Sequence, residues 1–304
     1  MAADLTNLET TFWRSYGRPA PPEKVSQEAF EFNDRHLRRL AKLRPGDRPA
    51  AADLFKYTED LRYTPIQSSL LAYVLPFCLQ IWRDDLRGID SGYGGFVENF
   101  YPVLADLHVF EGHLTPKQNA AAAEFMRQTI LEEVDDQRGL SYQGSKARPF
   151  RWFGALTTYG VLLPDIDQLW AAWWSLTTLG RAVAAVQYIS CLMYPESENP
   201  VFAPWTPDEG GGPPCLWEFE GHLYTHRWLE PNVSYLRRTL NAHRVGEVFE
   251  LASERLTGQP EHEVTALIKK DFPLLTDTLQ ARCVELPALL ESIQKPGKLL
   301  EWST

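Results

Sequence analysis

LTPKQNAAAAEFMRQTILEEVDDQRG, residues 114–139, is the segment whose local structure follows most directly from its sequence. Thr115 followed by Pro116 is a helix start, because proline suits the first helical position, where its missing N–H is not needed. The four alanines that follow have the highest helix propensity of any residue, and Gly139 supplies a stop. The segment therefore predicts one long helix.

The same helical pattern recurs along most of the chain. Thr64-Pro65 is expected to begin a second long helix, with a kink at Pro76 and an end at Gly88. Apolar residues at helical spacing predict further helices. These lie at 5–16, 26–44 with Ser26 as the cap, 50–61, 96–110, 149–163, 165–194, 231–256, 260–270, 272–285 and 287–295. We expect an all-α fold, a bundle or array of about ten helices, with at most one short β element near 216–220.

The clearest interruption is PESENPVFAPWTPDEGGGPP, residues 195–214, which holds six prolines and three glycines. Neither a helix nor a central strand continues through such a segment, because proline lacks the N–H that both need. We predict a single helical domain over 1–304 with this long loop over one face, and a possible sub-boundary within the loop.

Composition narrows the classes of function. The chain has 304 residues, ten tryptophans and a net charge of −10, which argues against nonspecific nucleic-acid binding. Four well-separated cysteines suggest free thiols, and no secretion signal is evident at the N-terminus. Residues 168–194 form the most apolar stretch, but Arg181 at its centre favours two core helices hinged near Gly180 over a membrane span. We expect a cytoplasmic protein.

Residues 60–130 resemble a bacterial helical domain family of unknown function. The resemblance rests on AYVLPFCL at 72–79 and on LTPKQNAAAAEFMR at 114–127. The matching residues are Tyr73, Leu75, Pro76, Leu114, Thr115, Pro116, Gln118 and Phe125. The resemblance implies a helical fold and a bacterial source, and it implies no activity.

A first candidate site is a metal centre at Glu218, His222 and His226. Two histidines four residues apart share one face of a helix, and a carboxylate four residues earlier would be a third ligand. The Glu that follows the first His in zinc proteases is missing from HLYTH, and Gly221 weakens the helix. An amphipathic turn with no metal is the competing interpretation.

A second candidate is the acidic cluster of Asp84, Asp85 and Asp90 at the end of the long helix. In an aromatic-rich all-α protein, such a cluster is reminiscent of class I terpene synthases, where carboxylates hold Mg²⁺. The spacing departs from DDxxD, and Arg83 and Arg87 lie among the acids. A solvated helix end with local ion pairs is the competing interpretation.

A third candidate is a surface for binding another protein. An acidic run near the end of the 114–139 helix could recognise a basic partner. Aromatic residues in and after the 195–214 loop could supply hot spots. The residues concerned are Glu132, Glu133, Asp135, Asp136, Trp205, Trp217 and Trp228.

No nucleophile elbow, phosphate-binding loop or kinase signature is present. The leading hypothesis is therefore a noncatalytic interaction protein of immunity or adaptor type, which binds a partner protein through acidic and aromatic surface. A basic partner would complement that surface. One alternative is a metal-dependent enzyme that binds a divalent metal at one of the two candidate sites. Another is a small-ligand-binding protein with an aromatic pocket.

Overall fold

The computed structural model describes residues 5–26, 31–44, 47–61, 65–89, 96–140, 148–194, 199–201 and 227–292. Within these ranges the chain forms fourteen α-helices and no β-strand, which confirms the predicted all-α class. The β element predicted near 216–220 and most of the 195–214 loop lie outside the described residues.

The chain divides into two compact units, Met1–Thr129 and Ile130–Thr304. That the whole chain is one domain stays a prediction. The first unit holds α1 (Leu5–Tyr16), α2 (Asp34–Leu40), α3 (Ala51–Asp60), α4 (Ser68–Leu86), α5 (Phe96–Asp106), α6 (Val109–Gly112) and most of α7 (Pro116–Asp135). The second holds the end of α7, α8 (Arg148–Leu162), α9 (Ile166–Trp174), α10 (Leu179–Met193), α11 (Glu230–Thr239), α12 (Ala242–Arg255), α13 (His262–Asp271) and α14 (Thr276–Ser292).

Helix α7 begins where the sequence predicts. The Thr115 Oγ1 accepts a hydrogen bond from the Gln118 N–H at 3.3 Å, and the Thr115 N–H donates to Gln118 Oε1 at 3.0 Å. This reciprocal pair is a capping box, which satisfies two N–H groups that a helix start leaves open. A proline at the first helical position then needs no partner of its own.

Two predicted helix starts are wrong. Helix α2 begins at Asp34 with Asn33 as its cap, whereas the Ser26 N–H donates to Gln67 Oε1 at 2.9 Å. Helix α4 begins at Ser68, after the predicted Thr64-Pro65 start. In the first case the side chain of Gln67 holds the chain before α2 through two bonds, since it also donates to the Lys24 carbonyl at 3.1 Å.

The predicted 231–256 helix is two helices, because Asn241 begins a new one. Its Oδ1 accepts from the Arg244 N–H at 2.9 Å and caps α12. Conversely, the segments predicted at 272–285 and 287–295 join in α14, which continues through Pro287. Pro76 and Pro102 likewise lie inside α4 and α5.

In the first unit, an ion-pair network lies among the buried apolar residues of α1 and α4. Arg48 donates to Asp84 at 2.6 Å and to Glu9 at 2.6 Å, and Arg83 donates to Glu9 at 3.3 Å. Both carboxylates are nearly buried. The network ties the chain before α3 to α1 and α4, and each charge in it has an opposite partner.

In the second unit, α10 is the central helix, with every residue from Ala182 to Met193 buried. Its start crosses the end of α7 so closely that a Cβ at Gly180 would lie 2.1 Å from the Asp135 carbonyl oxygen. Arg181 then holds the Asp135 carboxylate through two bonds of 2.7 and 3.1 Å. The predicted hinge lies just before Gly180, at residues 175–178.

Among the described residues, no single helix is long and apolar enough to cross a membrane. Together, α9 and α10 pass the same test, but the chain bends by 111° between them. Their aromatic residues form a packed cluster, in which the Trp170 and Trp173 rings each meet Tyr188 edge-on at 5.2 and 5.3 Å.

Candidate functional site

The predicted metal centre lies outside the described residues, since Glu218, His222 and His226 all fall in 202–226. Trp205 and Trp217 lie in the same range. Within the described ranges, no three His, Cys, Asp or Glu side chains are placed so that they would hold a metal ion. The metal centre stays a prediction.

The acidic cluster at the end of α4 is divided by the structure. The Asp84 carboxylate is buried and bonds to Arg48, whereas Asp85 is exposed to solvent. Asp90 lies outside the described residues. A buried carboxylate that already holds a guanidinium through two bonds is a structural ion pair, so Asp84 and Asp85 do not form a shared cation site here.

The acidic run at the end of α7 is largely occupied by contacts within the chain. Asp135 accepts from Arg181 and from the Thr178 hydroxyl, the latter at 2.6 Å. Glu133 is buried, and its carbonyl accepts from the Gln137 amide at 2.9 Å. Glu132 and Asp136 are half-buried. Of the four carboxylates, that of Asp135 joins the end of α7 to α10, and binding of a partner by this run stays a prediction.

Trp228 lies in the core and not at the surface. Its side chain is 1% exposed, and its ring covers Gly160, where a Cβ would come within 2.5 Å of the indole. The backbone around it is equally fixed, because the Trp228 N–H donates to the Leu290 carbonyl at 3.2 Å. We therefore leave Trp228 out of the candidate surface.

Exposed large apolar side chains in the described ranges are concentrated in the last three helices. Five of the six lie between α12 and the end of α14, and they are 37% to 81% exposed. They are Leu251, Leu267, Leu274, Val284 and Leu289, and the sixth is Ile89 of the first unit. Single exposed apolar residues are ordinary, but a local concentration of them is typical of interaction surfaces.

One of these side chains, Leu251, lines a groove of about 660 Å³ along α12, which we call the Leu251 groove. Helix α12 forms its floor, and the half-buried ring of Phe272, just after α13, forms its wall. Gly246 keeps the floor open opposite that ring. A Cβ at Gly246 would lie 3.5 Å from Phe272, which is ordinary contact, so a longer side chain there would fill the groove. The groove is lined by Ala242, His243, Arg244, Gly246, Glu247, Glu250, Leu251 and Phe272.

Carboxylates surround the apolar centre of the groove. Glu247, Glu250 and Glu254 share the outer face of α12 with Leu251, because helical residues three and four apart are neighbours. Glu247 pairs with Arg244 at 3.0 Å, and Glu250 pairs with Lys269. These side chains are about half exposed, and exposed ion pairs are weak and readily exchange partners.

The second unit also carries most of the net charge. Residues 130–304 contain 23 acidic and 15 basic residues, a net charge of −8, whereas residues 1–129 contain 17 and 15, a net charge of −2. Residues 242–292 alone hold nine acidic and five basic residues, a net charge of −4. The groove is therefore apolar at its centre and lies in an acidic environment.

Periodicity alone did not reveal this groove, because it assigns the leucines of an amphipathic helix to the core. A usable signal is present in FELASERL, residues 249–256, where Leu251 lies between Glu250 and Glu254 on the polar side of α12. The buried stripe of that helix passes instead through Val245, Val248, Phe249 and Ala252.

No protein-family model, curated protein or solved structure matches the chain.

Proposed function

We propose that the protein is a noncatalytic interaction protein that binds a basic, amphipathic segment of a partner protein in the Leu251 groove. The observation that carries this proposal is a groove along α12 in which the exposed Leu251 and the Phe272 ring lie beside the carboxylates of Glu247 and Glu250. The occupant we propose is a helix with an apolar stripe flanked by Lys or Arg.

The physical argument has two parts. Apolar side chains of the partner would cover Leu251 and Phe272, which removes apolar surface from water on both sides. Basic side chains on either edge would meet Glu247, Glu250 and Glu254, so charge complementarity favours a basic segment over an acidic one. The exposed Arg244 and Lys269 pairs give way at little cost, since each is screened by solvent.

The test uses two designed helical peptides, one of Leu and Lys and one of Leu and Glu with the same apolar stripe. Binding to the full chain is followed by fluorescence anisotropy of a labelled peptide. We expect the Leu/Lys peptide to bind more tightly than the Leu/Glu peptide, and we expect Leu251→Asn to weaken it about tenfold, which matches one buried leucine side chain. Gly246→Met should weaken it as well, because the new side chain fills the groove.

The matched control is Ile89→Asn, which removes the one large exposed apolar residue that the described part of the chain has outside the last three helices. It should leave the affinity unchanged. Equal effects of Leu251→Asn and Ile89→Asn, or equal binding of the two peptides, would overturn the proposal. If neither peptide binds and Leu251→Asn instead dissociates a dimer in sedimentation, the occupant is a second copy of this chain and the basic partner is ruled out.

A further inference from the structure

A second cavity, separate from the apolar centre of the Leu251 groove, has a volume of about 420 Å³ and lies between α9, α11 and the start of α12. We call it the Arg238 pocket. Its size is within the range of pockets that hold small molecules. Its wall is made chiefly of Trp170, Trp174, Tyr235, Arg238, Thr239 and Arg244.

The charge of the Arg238 pocket is opposite to that of its surroundings. Both charged residues that line it are arginines, in a chain whose net charge is −10. Arg238 forms no ion pair with any residue in the described ranges, whereas its neighbour Arg237 pairs with Glu291. Arg244 shares its carboxylate partner, Glu247, with His243. Two guanidinium groups thus face one cavity, and no carboxylate is among the described residues that line it.

The start of α12 adds to this positive charge. Asn241 caps the helix from the pocket wall, and no acidic residue lies in the first turn. The N-terminus of a helix carries a partial positive charge, which favours an anion beside it. An anion bound beside this helix start would therefore be stabilised.

The aromatic wall offers ring surface to the pocket. Trp170 and Trp174 line the cavity, but their indole N–H groups are buried below its surface. The two tryptophans therefore provide apolar ring area for a flat ligand and no hydrogen-bond donor.

Tyr235 adds a hydroxyl group. Burial raises the pKa of this phenol above its ordinary value, Asp167 raises it further, and Thr239, Arg244 and Arg238 oppose the shift. The phenol is therefore protonated at neutral pH and is able to donate a hydrogen bond to an anion.

We propose that the Arg238 pocket binds a small organic anion, in which a carboxylate or phosphate group meets the two guanidinium groups and a flat apolar part packs against Trp174 and Tyr235. Guanidinium groups suit both oxyanions, because their paired N–H groups match two oxygens at once. The aromatic wall favours a ligand with a flat apolar part, because rings stack well on aromatic side chains.

The test titrates the full chain with benzoate, phenyl phosphate, inorganic phosphate and neutral benzamide, and follows heat by calorimetry. We expect benzoate or phenyl phosphate to bind, with inorganic phosphate weaker and benzamide undetectable. Which of the two aromatic anions is tighter identifies the oxyanion. Affinity should fall as salt is raised, because the interaction is between charges. Arg238→Ala should weaken binding at least tenfold, and Arg238→Lys by less.

Arg237→Ala is the matched control, because it removes the same charge from the adjacent position of α11, where the side chain pairs with Glu291. It should leave affinity within about twofold. Equal losses of affinity in Arg237→Ala and Arg238→Ala would show that anions are attracted generally to a basic helix end, and that result would contradict the proposal. So would benzamide binding as well as benzoate, or no binding by any anion up to 10 mM. Leu251→Asn should leave anion binding unchanged, which separates this site from the proposed partner site.

Discussion

At the scale of one residue, two buried glutamines differ in whether their amide groups have hydrogen-bond partners. Gln80 on α4 is fully buried, and neither its Nε2 nor its Oε1 has a hydrogen-bond partner within the described chain. Gln187 on α10 is equally buried, but its Oε1 accepts from Trp152 Nε1 at 3.4 Å and its Nε2 donates to the Gly139 carbonyl at 3.2 Å. A buried glutamine is therefore expected to destabilise the first unit and to stabilise the second.

We predict that Gln80→Met raises the free energy of unfolding by about 1–2 kcal/mol, because an amide with no partner costs desolvation energy that a methionine of similar volume does not. Gln187→Met should lower it by about 1–3 kcal/mol, since the Trp152 N–H and the Gly139 carbonyl would each lose a bond. Urea unfolding of both variants measures the difference. Shifts of the midpoint in the same direction would contradict this account.

The surroundings of two single residues could not be predicted from the sequence. Asp84 is a candidate metal ligand in the sequence because it adjoins Asp85. The neighbouring sequence does not reveal that its carboxylate pairs with Arg48, which lies 36 residues earlier. Trp228 was a candidate hot spot because it follows a long loop, and its burial depends on the missing Cβ of Gly160, 68 residues away. Both outcomes are set by distant partners, which periodicity and spacing do not encode.

At the scale of the helix, ends are predictable where the cap is local. Thr115 and Gln118 are three residues apart, and the sequence alone places the start of α7 correctly. The start of α2 was predicted seven residues early, because Asn33 followed by His36 is a less familiar capping box than Ser or Thr followed by Glu. The capping role of His36 has a consequence for pH.

The Asn33 N–H lies 3.2 Å from His36 Nδ1 and donates to that nitrogen when it is unprotonated, so protonation of the imidazole breaks this bond. Burial lowers the pKa of His36 below its ordinary 6.5, Arg39, Lys56 and Arg35 lower it too, and Asp53 opposes them. The native state thus binds this proton less readily than the unfolded state. The contribution to stability is complete above pH 6.5 and is lost as the pH falls towards the lowered pKa.

We predict that His36→Gln removes this component, because glutamine makes the same capping contact and does not titrate. Between pH 7.5 and 5.5, the free energy of unfolding of the natural protein should fall more steeply than that of the variant, by at most about 1.4 kcal/mol per pH unit for one proton. Urea unfolding at each pH measures both. Parallel profiles would show that His36 does not couple to folding.

At the scale of the whole molecule, charge and exposed apolar surface act against each other. The formal charge of −10 keeps copies of the chain apart near pH 7, whereas Leu251 and Leu274, 54% and 81% exposed, favour any contact that covers them. The acidity follows from the sequence alone, whereas a partner-binding role stays a prediction. The sequence does not show which leucines are exposed, because the exposure of a leucine depends on which neighbouring helices cover it.

The balance between charge repulsion and apolar attraction should shift with pH. The pI is near 5.3, so repulsion between copies vanishes as the pH falls from 7.5 towards that value, and exposed apolar surface then decides whether copies associate. We predict that sedimentation velocity shows increasing association over this range. The double substitution Leu251→Asn and Leu274→Asn should suppress it, since asparagine changes no charge and removes the apolar contact.

Ile89→Asn, which removes an equally exposed apolar residue from the first unit, should associate as the natural protein does. If the double variant also associates like the natural protein, loss of net charge is sufficient by itself, and the last three helices are not the adhesive surface of the molecule.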